Sequence, residues 1–132
     1  MNIEYIGSIR SEFKEHADPE VMRKAKSTIV IDPEYEEGLY KIEDNDYIQV
    51  VFYFDRSEGY DLIGKRRGGV TKGVFASRSP RRPSPLGVTV VELLSRNGRE
   101  LNIKGLDALD NTPVVDIKPY VDFIDSNKQK SK

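Results

Sequence analysis

Val88-Thr-Val-Val-Glu-Leu-Leu94, then Asn97-Gly98, then Leu101-Asn-Ile-Lys-Gly-Leu106 is the stretch that decides the fold class. The first segment is apolar and rich in β-branched residues. The second alternates apolar and polar positions, as a strand with one buried face does. Asn-Gly between two such segments signals a hairpin, because both residues tolerate the positive φ of a tight turn. Further strands read outward from this pair: residues 3–9, Ser27-Thr-Ile-Val-Ile31, and Val114-Val-Asp-Ile117. Tyr47–Phe54 is almost continuously apolar and predicts a strand buried on both faces. Pro33–Ile42 predicts one short helix, with Asp32 as N-cap, Pro33 at the first helical position and acids in the first turn. Residues 56–73 hold five glycines and predict a long flexible loop. Short strands with turn signals and little helix predict a mainly β protein, a small antiparallel β-barrel with one or two short helices. No βαβ rhythm and no G-x-G-x-x-G is present, which argues against a doubly wound nucleotide fold.

The chain has 132 residues, so one domain is expected, spanning 1–125, followed by a polar tail at 126–132. It contains no cysteine and one histidine, His16. That excludes disulfides, thiolate metal centres and multi-histidine metal sites, so no metal is expected. No apolar run is long enough to cross a membrane as a helix. The first residues lack a basic and apolar leader pattern, and a soluble cytoplasmic protein is the expectation.

Net charge is −1, a total that argues against a basic nucleic-acid binder. The distribution argues otherwise. Residues 32–61 carry ten acids against Lys41 and Arg56. Residues 62–91 carry Lys65, Arg66, Arg67, Lys72, Arg78, Arg81 and Arg82 with no acid. Such a run suits a phosphate backbone. The competing reading is that the basic run pairs with the acidic one, within a chain or across a dimer.

Gly73-Val-Phe-Ala-Ser-Arg-Ser-Pro-Arg-Arg-Pro-Ser-Pro-Leu-Gly87 is the segment that does not look like scaffolding. Its closely spaced prolines force an extended, pre-stiffened path, and its arginines offer planar forks for carboxylate or phosphate. A Pro-rich surface loop with solvated arginines is the plainer alternative. Leu106–Tyr120 places Asp107, Asp110 and Asp116 around an Asp110-Asn-Thr-Pro113 turn, which could hold a cation or a ribose or be an ordinary turn.

Gly73–Gly87 and Leu109–Tyr120, together with Tyr5-Ile-Gly-Ser-Ile-Arg-Ser-Glu-Phe-Lys14 and Phe54-Asp-Arg-Ser-Glu-Gly59, resemble the TsaA-like family over nearly the whole chain. The resemblance implies a small β-barrel methyltransferase that uses S-adenosyl-L-methionine to methylate N6 of threonylcarbamoyladenosine beside the tRNA anticodon. It also implies a homodimer with sites near the subunit boundary. Carried over by residue, it implies cofactor contacts from Asp55, Arg56, Arg78, Val88, Leu109, Asp110, Asn111 and Thr112, with Phe75, Arg82 and Leu86 in the same motif. Lys65, Arg66, Arg67 and Arg81 are the candidate RNA contacts. This chain has Ser84 where the family has Asn, Asn111 where it has Gly, and Asp55 where it often has His. Ala17-Asp-Pro-Glu-Val-Met-Arg-Lys24 stands in place of a Pro-Arg-Gln segment.

The target nitrogen carries a carbamoyl group, so its lone pair is delocalised and loss of its proton assists transfer. Asp55, Asp110 and His16 are the candidate bases, with release of the proton to water an equal alternative. A non-catalytic module that binds S-adenosylmethionine or RNA, and a methyltransferase for another substrate, are the competing functions.

Overall fold

Strand side chains alternate between two faces, and a sheet that closes on itself has only one interior. The computed structural model describes residues 1–130 and takes this form. Six strands make the barrel: β1 (Gly7–Arg10), β2 (Lys26–Ile31), β3 (Tyr47–Tyr53), β6 (Leu86–Asn97), β7 (Glu100–Lys104) and β8 (Pro113–Pro119). They close in the order β1-β2-β7-β6-β3-β8, every pair antiparallel. A separate hairpin, β4 (Ile63–Lys65) with β5 (Thr71–Gly73), stands outside it. The helices are short: α1 (Pro19–Lys24) and α2 (Asp122–Asp125). The expected antiparallel β-barrel with one or two short helices is what forms.

Ile9, Ile29, Ile31, Ile48, Val50, Phe52, Val91, Leu101, Ile103 and Val114 fill the interior, and Leu39, Leu106 and Ala108 join the same core. β3 departs from expectation. Its buried residues alternate, and Tyr47, Gln49, Val51 and Tyr53 sit on the outer wall. The barrel interior takes one face of the strand, and the other face forms the outer wall. Gly87 lies opposite Phe52 in the β3–β6 register. A Cβ there would come within 2.6 Å of the Phe52 ring, so glycine makes room for the largest core side chain.

Other boundaries also shift. The first strand is confined to Gly7–Arg10. Pro33–Leu39 and Ile42–Asp44 are 3-10 turns, not an α-helix, and the Asp32 side chain makes no capping bond. The true short α-helix is α1, where the Asp18 carboxylate accepts from the Glu20 N–H and Pro19 opens the first turn. Part of the expected loop 56–73 is the β4–β5 hairpin. The β6–β7 turn centres on Gly98 and Arg99, one residue past Asn97-Gly98, with Gly98 at φ 61°. Of the expected polar tail, residues 131–132 lie outside the described residues.

The strand directions sort the connections between two rims. Residues 11–25, 54–85 and 105–112 all emerge at one rim. Residues 32–46, with seven acids and Lys41, cross the opposite rim together with the β6–β7 turn. Arg96 pins the acidic segment there, donating to the Leu39 carbonyl at 3.1 Å and to Glu43 Oε1 at 3.1 Å. Most of the acidic run and all of the basic loop segment therefore sit at opposite ends of the barrel.

Candidate functional site

Three connections meet at the first rim, and backbone and side-chain bonds hold them, among them the Asp110 N–H to the Phe13 carbonyl at 2.7 Å. The Phe54 N–H donates to the Pro85 carbonyl at 2.8 Å, and Ser57 Oγ donates to the Pro80 carbonyl at 3.1 Å. Arg56 Nη2 donates to the Asp110 carbonyl at 2.8 Å and to Thr112 Oγ1 at 3.1 Å. Thr112 is buried, and its hydroxyl passes the bond on to the Leu109 carbonyl at 2.7 Å. Asn111 takes φ 67°, a left-handed conformation that Asn tolerates, and its N–H reaches the Ile9 carbonyl at 2.7 Å. The turn thus keeps its shape with Asn in place of Gly.

Asp55 forms an ion pair with Arg56 at 3.5 Å. Asp110 is engaged on both carboxylate oxygens, by the Ser11 N–H at 2.9 Å and by Lys14 Nζ at 3.0 Å. The Ser11 N–H first, and the Lys14 ammonium next, hold its carboxyl below the ordinary aspartate value against the opposing effect of burial. Such a carboxylate is a clamp on the rim and a poor proton acceptor. His16 is exposed on the segment before α1. Ser11 and Lys14 were not legible as site residues, because about a hundred positions separate them from Asp110 along the chain.

In the arginine–proline loop, Arg78 Nη2 donates to the Val88 carbonyl, which joins two of the expected cofactor contacts. Arg82 Nη1 donates to the Ser77 carbonyl at 2.9 Å and the Ser79 carbonyl at 3.2 Å, so it braces the loop from within. An open pocket of about 270 Å³ lies beside this loop, lined by Ile3, Tyr5, Tyr53, Pro83, Ser84, Pro85, Leu86 and Val115. Tyr5 and Tyr53 stack there, with ring centroids 5.9 Å apart. Of the expected cofactor residues only Leu86 lines it. A larger groove of about 340 Å³ lies on the β2–β7–β6 wall around Thr28, Ser95 and Asn102 and contains none of the expected residues. The rim loops hold most of the expected residues, and neither groove gathers them.

The hairpin carries the basic run outward. Arg66 folds back, its Nη2 donating to the Asp61 carbonyl at 2.9 Å and its Nε to the Lys72 carbonyl at 3.3 Å. It braces the hairpin from within. Lys65, Arg67, Lys72 and Arg81 are exposed. Among the described residues, none of the seven cations of 62–91 makes an ion pair. Pairing of the basic and acidic runs within one chain is therefore not what the fold does. Lys72, also in the basic run, pairs with Gly64 and so lies on the opposite face of the hairpin from Lys65, which pairs with Thr71.

Asp55 is paired with Arg56, Arg78 is bonded to the Val88 carbonyl, and Leu86 lines the open pocket beside them. Fold and site together define a closed six-stranded antiparallel barrel with a braced arginine–proline rim. A family described as tRNA-methyltransferase O N-terminal domain matches residues 8–126. The chain belongs to this family. An Archaeoglobus fulgidus protein named "Probable S-adenosyl-L-methionine-binding protein" is 46% identical over 96% of this chain and 36% of its own length. A second protein of that organism, "S-adenosyl-L-methionine-binding protein", is 39% identical over 98% of this chain and 96% of its own length. The mouse "tRNA (adenine(37)-N6)-methyltransferase" is 33% identical over 82% of this chain and 26% of its own. A solved structure described as "Crystal structure of TrmO" superposes with a TM-score of 0.81 at 32% identity, over all of this chain and 62% of the other. The chain thus spans about a third of the first relative, and nearly all of the second.

Proposed function

We propose that this chain is an S-adenosyl-L-methionine-dependent methyltransferase that modifies N6 of threonylcarbamoyladenosine next to the tRNA anticodon. The names of the relatives support the cofactor and the substrate class. One observation carries the reading in the molecule itself: the seven cations of residues 62–91 are free of acidic partners among the described residues, while most of the acidic run lies at the far end of the barrel. A polyanion can therefore reach these seven cations without displacing internal ion pairs.

S-adenosyl-L-methionine, when bound, supplies an electrophilic methyl group. Arg78, Leu86 and Val88 hold it in this reading, with Asp55, Arg56 and the Leu109–Thr112 turn around it and Arg82 stiffening the loop. Arg56 has a second task. Its guanidinium lies at the turn, where its charge stabilises negative charge that develops on the carbamoyl-bearing nitrogen. With both Asp110 oxygens engaged, the proton of that nitrogen passes to solvent. The chain acts by positioning.

A homodimer belongs to the same proposal, supported by the outer wall of β3 and β6, where Val88 and Val90 are exposed along β6 and Tyr47 is exposed diagonally across from Val90. The cytoplasm is the compartment proposed with a tRNA substrate. The decisive test is transfer of labelled methyl from S-adenosylmethionine to tRNA that carries the threonylcarbamoyl group. Arg78→Ala is expected to lose cofactor binding in calorimetric titration with its thermal melt unchanged. Cofactor binding by wild type with no transfer to any tRNA would leave a binding module and defeat the proposal.

A further inference from the structure

Phe75 is 79% exposed, yet its backbone is held firmly. It sits in the 3-10 turn Val74–Ala76. Val74 takes the inward position of that turn and is buried. The Val74 N–H donates to the Leu62 carbonyl at 2.8 Å, and Ser77 donates to the Val74 carbonyl from its N–H at 3.2 Å and its hydroxyl at 2.9 Å. Phe75 cannot exchange places with Val74 without breaking these bonds. A rigid backbone therefore presents a large aromatic ring to water.

The neighbours say what the ring would meet. The Leu62–Val74 bond sets Leu62 and Ile63, 61% and 72% exposed, beside the turn. Lys72 lies three residues before Phe75 and Lys65 lies across the hairpin, both exposed. Arg66 keeps the hairpin braced, so the cations are carried on a fixed arm. An apolar aromatic face flanked by unpaired cations is complementary to single-stranded nucleic acid, whose bases offer a stacking face and whose phosphates need countercharge.

We infer that Phe75 stacks on an unpaired base of the RNA substrate and so sets that strand against the rim, with Lys65, Arg67 and Lys72 on the adjacent phosphates. This rests on the RNA-methylation reading above. It moves Phe75 from the cofactor contacts that the family resemblance implies to the RNA side of the site.

The test compares wild type, Phe75→Ala and Phe75→Trp, using an anticodon stem-loop RNA with 2-aminopurine in the loop. Phe75→Ala is expected to weaken RNA binding by about 5- to 100-fold, to lose the 2-aminopurine quench, and to keep the salt dependence of wild type. Phe75→Trp is expected to bind within about threefold of wild type. Cofactor affinity, thermal melt and sedimentation stay unchanged in both. Lys65/Arg67/Lys72→Ala is expected to show the opposite signature, a log–log salt slope shallower by about 2. Equal RNA binding by wild type and Phe75→Ala overturns this inference alone. So does a loss of cofactor affinity, which would put the ring on the cofactor, or a drop in sedimentation, which would put it against a second copy. A wild-type chain that binds cofactor but no RNA overturns the inference and the proposed function together.

Discussion

Gly87→Ala tests how the arginine–proline motif is joined to the barrel. The new Cβ would lie 2.6 Å from Phe52 Cζ, 2.7 Å from Phe52 Cε2 and 3.0 Å from Phe54 Cε2. Ordinary contact requires the Phe52 ring to retreat by almost 1 Å. That ring is buried and packs edge-on against Phe54, with centroids 5.1 Å apart. A close-packed interior resists such a shift at a cost of about 1–3 kcal/mol. Alanine recovers roughly 0.5–1 kcal/mol through its smaller loss of backbone entropy in a strand. The net expectation is destabilisation of about 1–2 kcal/mol. Unfolding entropy of about 2.1 cal/mol/K per residue gives roughly 0.28 kcal/mol/K for this chain, so Tm falls by about 3–7 °C. Scanning calorimetry measures this directly. Phe52→Leu opens the space the new methyl needs, so the double variant is expected to be more stable than additivity predicts, by about 0.5 kcal/mol or more. A Tm for Gly87→Ala within 1 °C of wild type, or strict additivity in the double variant, would refute the packing argument.

Three more variants test the rim. Arg66→Ala is expected to leave the global melt within about 1 °C while amide exchange in β4 and β5 rises roughly tenfold, the loss of about 1.4 kcal/mol of bracing. Arg66→Gln is expected to leave the salt slope of RNA binding unchanged, because Arg66 faces its own hairpin. Asp110→Asn keeps an oxygen that can accept from the Ser11 N–H but loses the charge, and is expected to cost about 1 kcal/mol at pH 7, mostly the charge assistance of the Ser11 bond, since Lys14 is largely exposed. The folded-state pKa of Asp110 is depressed, so its contribution is fully present above the unfolded value near 4 and disappears as pH falls through the folded value. Urea titrations at descending pH are expected to show the wild-type advantage constant above about pH 5 and shrinking below about 4; an advantage that grows in acid would contradict the assignment.

Local signals were legible where the chain satisfies them locally. The β6–β7 hairpin forms within one residue of its Asn-Gly signal, and Asn111 adopts the positive φ expected of the turn. Asp18 and Pro19 form a proper helix start, but the similar signal at Asp32 and Pro33 does not mature into an α-helix. That segment must cross the barrel end and bury Leu39, and 3-10 turns span the distance. Continuous apolar character in β3 overstated its burial, because Tyr47, Gln49 and Val51 look outward from a closed wall.

The sequence by itself determined the β class, the segregation of charge along the chain and the motif that carries the family. These depend on residue type and near-neighbour spacing, which a linear reading contains. Tertiary structure alone decided which charges are free. Arg66 and Arg82 look equivalent to Arg67 and Arg81 in sequence, but each finds backbone carbonyls to brace. Asp110 looks like a base until Ser11 and Lys14 arrive from the other end of the chain. The two charged runs are adjacent in sequence and mostly opposite in space, because β3 carries the chain from one rim of the barrel to the other.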